Sequence, residues 1–282
     1  MTYGRSSALR AYGCVAAGLL VLTGCSAGGD GKGGGADRTP SATGTSAPAG
    51  SAPAASEPAP SGTSTAQRIL ELDESKQPKT RAEARALLAR IVIGQEVLGP
   101  EVVRSSPFES DPARWPVLGE DCVWRTSRLP EDVLATSTRY FHVPAKEGHG
   151  RVQINATVTV HRNRQESGWE TANAMEEVLR CPDQRLKAGE ELKNLWGAPF
   201  SQGEQMNRWT EDAFLESGEY VSSESGGPHP YIWSQGQFGP VTVAVAVKGA
   251  EGFTVEALNT LVAEGTGRMF LNAEQELGKA AG

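Results

Sequence analysis

The side chains of this 282-residue chain best suited to chemistry are four histidines, four cysteines and six tryptophans. His142 and His161 fall at the ends of expected strands, His149 in a glycine turn, and His229 between Pro228 and Pro230. None has the i, i+2 or i+4 histidine spacing that presets a metal site, so zinc could be held only by ligands gathered from across the fold. No metal ligand and no cofactor is assigned. The nucleophile elbow G-x-S-x-G, the S-x-x-K pair, the H-E-x-x-H zinc helix and a phosphate-binding glycine loop are all missing, and no catalytic residue is named. Two candidate binding features remain. Arg162 and Arg164 stand just before a helix expected to start near Ser167, where free backbone N–H groups favour an anion. Trp196 and Trp209 lie in polar, turn-rich surroundings and could stack on sugar rings, whereas Trp169 sits on an apolar helical stripe and is expected in the core. Asp and Glu are plentiful, but their pairing in space is not readable from sequence; a cleft with two facing buried carboxylates would revive the idea of a hydrolase of wall polymers.

The N-terminus bears on which compartment these groups work in. Arg5 and Arg10 precede an apolar stretch, Ala11 to Thr23, that is too short to cross a bilayer as a helix and has the pattern of an export signal. It ends in Leu22-Thr23-Gly24-Cys25. This run resembles the lipobox of bacterial lipoproteins, which implies cleavage after residue 24 and a lipid on the Cys25 thiol. The family's modification brings at least two acyl chains, such as palmitate, enough for stable anchoring to the outer face of the cytoplasmic membrane. From Ser26 to Ala66 the sequence is Gly, Ser, Thr, Ala and Pro almost throughout, with no aromatic residue. Such a stretch cannot bury enough apolar surface to order itself, so 25–66 is expected to be a disordered tether, roughly 35 Å across as a coil.

That leaves 67–282 as a single extracellular domain. The formal net charge of −7 becomes −9 once Arg5 and Arg10 leave with the signal, and there is no basic cluster. Nucleic acid is therefore excluded as a partner. With Cys14 in the signal and Cys25 lipidated, Cys122 and Cys181 remain as an even pair in an oxidising compartment and are expected to form a disulfide.

The elements that must position these groups are partly legible. Thr80 and Glu83 form a capping box ahead of Ala84, Leu87, Leu88 and Ile91. The stretch with Gly99-Pro100, Pro107, Pro112 and Pro116 is expected to be irregular. Thr136 to Val143 reads as a strand, and Val152 to His161 alternates five apolar with five polar residues, as a half-buried antiparallel strand does. Ser167 and Glu170 suggest a second capping box before a helix that ends at Cys181-Pro182. Tyr231 to Phe238, Gly239-Pro240 and Val241 to Val247 read as a hairpin, with Ala244 and Ala246 leaving room for a packed element. A last helix carries Val255, Leu258, Leu261, Val262, Met269 and Phe270, with Gly265 and Gly267 as candidate bends. The fold class is α+β, an antiparallel sheet packed with a few helices.

Cys122-Val123-Trp124, the helix ending Glu177-Val178-Leu179-Arg180-Cys181, and the closing hairpin and helix together resemble the extracellular sensor-domain family of the kinase PknH and related lipoproteins of high-GC Gram-positive bacteria. The likeness would cover most of Arg81 to Leu277 and implies an α+β domain with a central cleft for an unidentified ligand. The chain departs from that family in having one bridge where two are expected.

Three classes of function follow. The first is a non-catalytic ligand-binding or sensing module of the envelope, membrane-bound through its lipid, with a small-molecule, cell-wall or protein ligand. The second is an enzyme acting on cell-wall polymers without a recognisable motif. The third is a protein–protein adaptor, which would show an exposed apolar patch instead of a cleft.

Overall fold

The alternation along residues 152–161 organises the whole domain. A computed structural model describes residues 71–199 and 210–279; the signal segment, Cys25, the whole tether and Trp209 lie outside them. In chain order the elements are α1 (Arg81–Ile91), β1 (Val103–Glu109), β2 (Arg114–Leu118), β3 (Trp124–Arg128), β4 (Val133–Val143), β5 (Val152–His161) and α2 (Arg164–Arg180). They continue with β6 (Gln184–Lys187), β7 (Glu190–Pro199), β8 (Asp212–Ser222), β9 (Gly226–Phe238), β10 (Val241–Lys248) and α3 (Val255–Leu277).

Eight strands form one antiparallel sheet in the order β1-β4-β5-β10-β9-β8-β7-β6, and β2 and β3 pair as a separate two-stranded ribbon. The domain is thus α+β with a largely antiparallel sheet, as its sequence implies. Val152, Ile154, Ala156, Val158 and Val160 of β5 are fully buried on one face, beside Val241, Val243, Val245 and Val247 of β10. α1 and α3 pack on that face, and α3 lies against β9 and β10. The expected hairpin is β9–β10, with Val241 opposite Phe238.

Thr80 caps α1 with both halves of the capping box present. α3 runs on through Gly265 and Gly267, and Gly265 serves close approach: a Cβ there would lie 2.9 Å from Val245 Cγ2 and 3.3 Å from Ile93 Cδ1. Alanine gains about 1 kcal/mol of helix preference over glycine. The overpacking it forces costs typically 1–3 kcal/mol. Gly265→Ala is accordingly expected to destabilise the domain by about 1 kcal/mol net, read as a lower denaturant midpoint. An unchanged or raised midpoint would mean that α3 can lift off β10 at no cost.

Two expectations are corrected. The proline-rich stretch from Gly99 to Pro116 is not irregular: it contains β1 and β2. Pro107 and Pro116 are tolerated because β1 is an edge strand and β2 belongs to a two-stranded ribbon, where a missing N–H breaks no inner ladder. The second capping box does not form. The cap of α2 lies four residues earlier, at Asn163, whose side chain accepts from the Glu166 N–H. Ser167 lies inside the helix and donates to Gly239 O at 2.6 Å.

Candidate functional site

The second face of the sheet is polar where β4 and β5 cross it. Thr136 and Thr138 stand opposite Thr159 and Thr157, and each pair is joined hydroxyl to hydroxyl, at 3.1 and 2.9 Å. α2 lies on this face over β5 and β7 to β10, leaving the threonine floor open on one side. The β2–β3 ribbon rises along the other side. Between them is a cleft of about 820 Å³.

Each wall is held by identifiable contacts. α2 docks largely through polar groups. Gln237 Nε2 donates to Ser167 Oγ at 2.8 Å and Gln235 Nε2 to Thr171 Oγ1 at 3.2 Å. Thr242 donates to Glu170, and His161 Nε2 lies 2.7 Å from the same carboxylate oxygen. The ribbon is fixed to the far end of α2 by the Cys122–Cys181 disulfide, with a Cα separation of 5.5 Å. Beside it, Trp124 Nε1 donates to Gln184 at 2.7 Å and Arg180 to Gly119 O at 3.1 Å.

Glu166, Trp169, Glu170, Asn173, Ala174 and Glu177 present one face of α2 to the cleft, at helical spacing. Across from them Glu216 of β8 and Trp233 of β9 are register partners at the back, and Ala244 supplies the space its small side chain was expected to leave. Trp115 and Trp124 complete the aromatic lining from the ribbon.

Electrostatics set two of these carboxyls apart. Glu216 is only 7 % exposed. Burial first, then the charge of Glu177, push its pKa up to about 8, against a hydrogen bond with Tyr231 that pulls the other way. Glu177 is raised to about 6, chiefly by burial; Arg180 opposes this, while Glu176 and Glu170 add to it. The Tyr231 hydroxyl is driven well above its ordinary value by burial and by Glu216. His161 is 1 % exposed, and its Nδ1 is the one buried side-chain polar atom without a hydrogen-bond partner among the described residues. Asp132 Oδ2, also in the cleft wall, lies 3.9 Å from that nitrogen.

The residues singled out from sequence fall elsewhere. Trp196 is 55 % exposed on β7 and is not among the cleft-lining residues. Arg162 donates to Glu131 O at 2.6 Å, and Arg164 pairs with Glu211 at 2.7 Å; neither lines the cleft. Trp209 and Cys25 lie outside the described residues. Trp169, expected in the core, is 56 % exposed, because the buried side of α2 carries Ser167, Thr171 and Val178 instead. Sequence reasoning missed Glu177 and Glu216. A usable signal existed for the second: Phe214, Glu216, Gly218 and Tyr220 alternate along β8, placing an acid in phase with two aromatic residues.

Fold and site together describe an α+β domain with a polar-floored, aromatic-walled cleft braced by one disulfide. No family model matches the chain, and no curated protein matches it. Among solved structures it is similar to the extracellular domain of PknH from Mycobacterium tuberculosis, at 9 % identity over 69 % of this chain and 98 % of that one, with a TM-score of 0.42. A likeness of that size transfers nothing about ligand or role.

Proposed function

We propose that this chain is a membrane-anchored extracellular lipoprotein whose folded domain is a non-catalytic ligand-binding or sensing module of the cell envelope, with the cleft as its binding site. The cleft itself is the observation that carries the reading. The threonines of β4 and β5 are left as an uncovered hydroxyl floor between two aromatic walls, with room for a ligand of several rings. The anchoring half of the reading rests on Leu22-Thr23-Gly24-Cys25 and on the export pattern before it. An adaptor role draws less support, since the exposed large apolar side chains among the described residues, Val117, Trp169, Leu179, Trp196 and Val255, are spread over four elements.

Two measurements on the full-length chain test the halves separately. Intact mass after purification from the native membrane is expected to give a chain starting at Cys25 with a lipid-sized excess; an unmodified chain starting at Met1 would sink the anchoring. A muramidase digest of cell wall is expected to shift tryptophan emission, because Trp115, Trp124, Trp169 and Trp233 all line the cleft. An emission spectrum unmoved by any fraction of the digest would count against the cleft.

A second reading, hydrolysis of wall polymers, has one specific observation in its favour. Glu216 holds its proton at neutral pH while Glu177 is mostly ionised, the division of labour between general acid and carboxylate partner in glycoside hydrolysis. Reducing ends released from wall polymer by the wild type, and not by Glu216→Gln, would favour it over simple binding.

A further inference from the structure

We infer that the cleft takes an organic cation, a ligand presenting a protonated amine between the carboxylates of Glu177 and Glu216 and against the faces of Trp169 and Trp233. The inference deepens the proposal that the cleft is the binding site and rests on it.

The charge of the lining is one-sided. Among the described residues, seven carboxyl groups and a single guanidinium, that of Arg114, border the cleft, and no lysine does. Several of the acids are already engaged: Glu109 pairs with Arg139 at 2.9 Å, and Glu170 accepts from Thr242 beside His161. Glu177 and Glu216 have no ion pair among the described residues, although Glu216 is almost wholly buried. A buried carboxylate needs either a counter-ion or a proton. The groups that face this pair supply no sufficient counter-ion. From α2 come Glu170 and Glu176 with Arg180, which lowers the Glu177 pKa without restoring it to the ordinary range; from β9 comes the Tyr231 hydroxyl. The missing charge is positive.

An independent observation points the same way. In the tautomer whose Nε2–H donates to Glu170, the buried Nδ1 of His161 is an acceptor without a donor among the described residues. The unmet needs of the cleft are thus positive charge and N–H donors, and an ammonium group has both. Tryptophan faces attract the same group through their quadrupole. A neutral sugar would use the aromatic walls but leave the carboxyls unpaired, and an anion would be repelled. A bare metal ion is not favoured, since no three acidic, histidine or cysteine side chains among the described residues are grouped to hold one.

Binding of a cation should be proton-linked. At neutral pH Glu216 carries a proton that an entering ammonium displaces, and Glu177 follows at lower pH. Affinity is therefore expected to rise as pH increases through about 6 and then about 8.

The test is calorimetric titration of the full-length chain with cadaverine, whose amines stay charged across this range because alkylamines titrate near pH 10. Its neutral isostere, pentane-1,5-diol, is the control. Expected are cadaverine binding at about pH 8.5 that weakens at least tenfold at about pH 6, a binding heat that varies with the ionisation heat of the buffer, and no binding of the diol. Glu177→Gln and Glu216→Gln, each checked for native circular dichroism, are each expected to weaken cadaverine at least tenfold. Equal binding of the diol, or an affinity that neither pH nor either substitution alters, would overturn the inference. Silence toward cadaverine with a tryptophan response to the wall digest would overturn it while leaving the cleft as the site; silence toward both would remove the site as well.

Discussion

Replacing Glu216 with glutamine is expected to stabilise the domain by on the order of 3 kcal/mol at about pH 8.5 and to change little at about pH 4. The sign follows from the direction of the pKa shift. Folding raises the Glu216 carboxyl from 4.5 to about 8, so the folded chain binds its proton more tightly than the unfolded chain does. The associated stability is fully present below the unfolded value and is lost as pH rises through the folded one. In the wild type the unfolding free energy should fall across that window; in the glutamine variant, which mimics the protonated form at every pH, this component vanishes. Denaturant unfolding of both proteins at several pH values reads the difference. Equal curves from acid to alkaline pH would mean that Glu216 is ionised and compensated in the fold. Glu177→Gln is expected to act in the same direction but more weakly, its folded value being about 6. A side chain whose removal stabilises the fold is one kept at a cost, the usual mark of a residue retained for binding or chemistry.

The second large effect is expected on losing the disulfide. Cys122 and Cys181 are 59 positions apart, and closing a loop of that length is worth about 4 kcal/mol in the chain-entropy model. For a domain of this size that corresponds to a melting temperature lower by on the order of 10 °C. The damage should not be uniform. β2 and β3 contribute one buried side chain, Leu118, and β3 meets the large sheet at β6. Reduction, or Cys122→Ser with Cys181→Ser, is therefore expected to free the ribbon first. Emission from Trp115 and Trp124 should then shift to the red at temperatures where the circular dichroism of the sheet is still native. A single transition, with fluorescence and dichroism coincident, would show that the ribbon is held by its hydrogen bonds alone.

Legibility from sequence depended on which force places each residue. The β9–β10 hairpin and β5 could be read because their inward positions are unbroken apolar series, and burial imposes a period of two on the chain. The disulfide was legible because only one mature pair remained to form it. α2 misled in part: its sequence offers Trp169, Ala172, Met175, Val178 and Leu179 as a stripe, and Val178 is buried with Met175 packed beside it, but Trp169 and Leu179 stay exposed while Ser167 and Thr171 are buried against Gln237 and Gln235. Periodicity does not register a helix docked by hydrogen bonds. The cleft was less legible still. Glu177 and Glu216 are 39 positions apart and meet only because β8 lies beneath α2, a relation fixed by sheet order and absent from any local pattern.

One strand carries two separate functions on alternate residues. In β5 the even-numbered side chains from Val152 to Val160 fill the core under α1 and α3, while Thr157 and Thr159, in the odd series, floor the cleft. Selection can therefore act on the two series almost independently. A new ligand preference can be written at the odd positions while the even ones keep the molecule folded, so descendants of such a domain are free to diverge in what they recognise long before they diverge in shape.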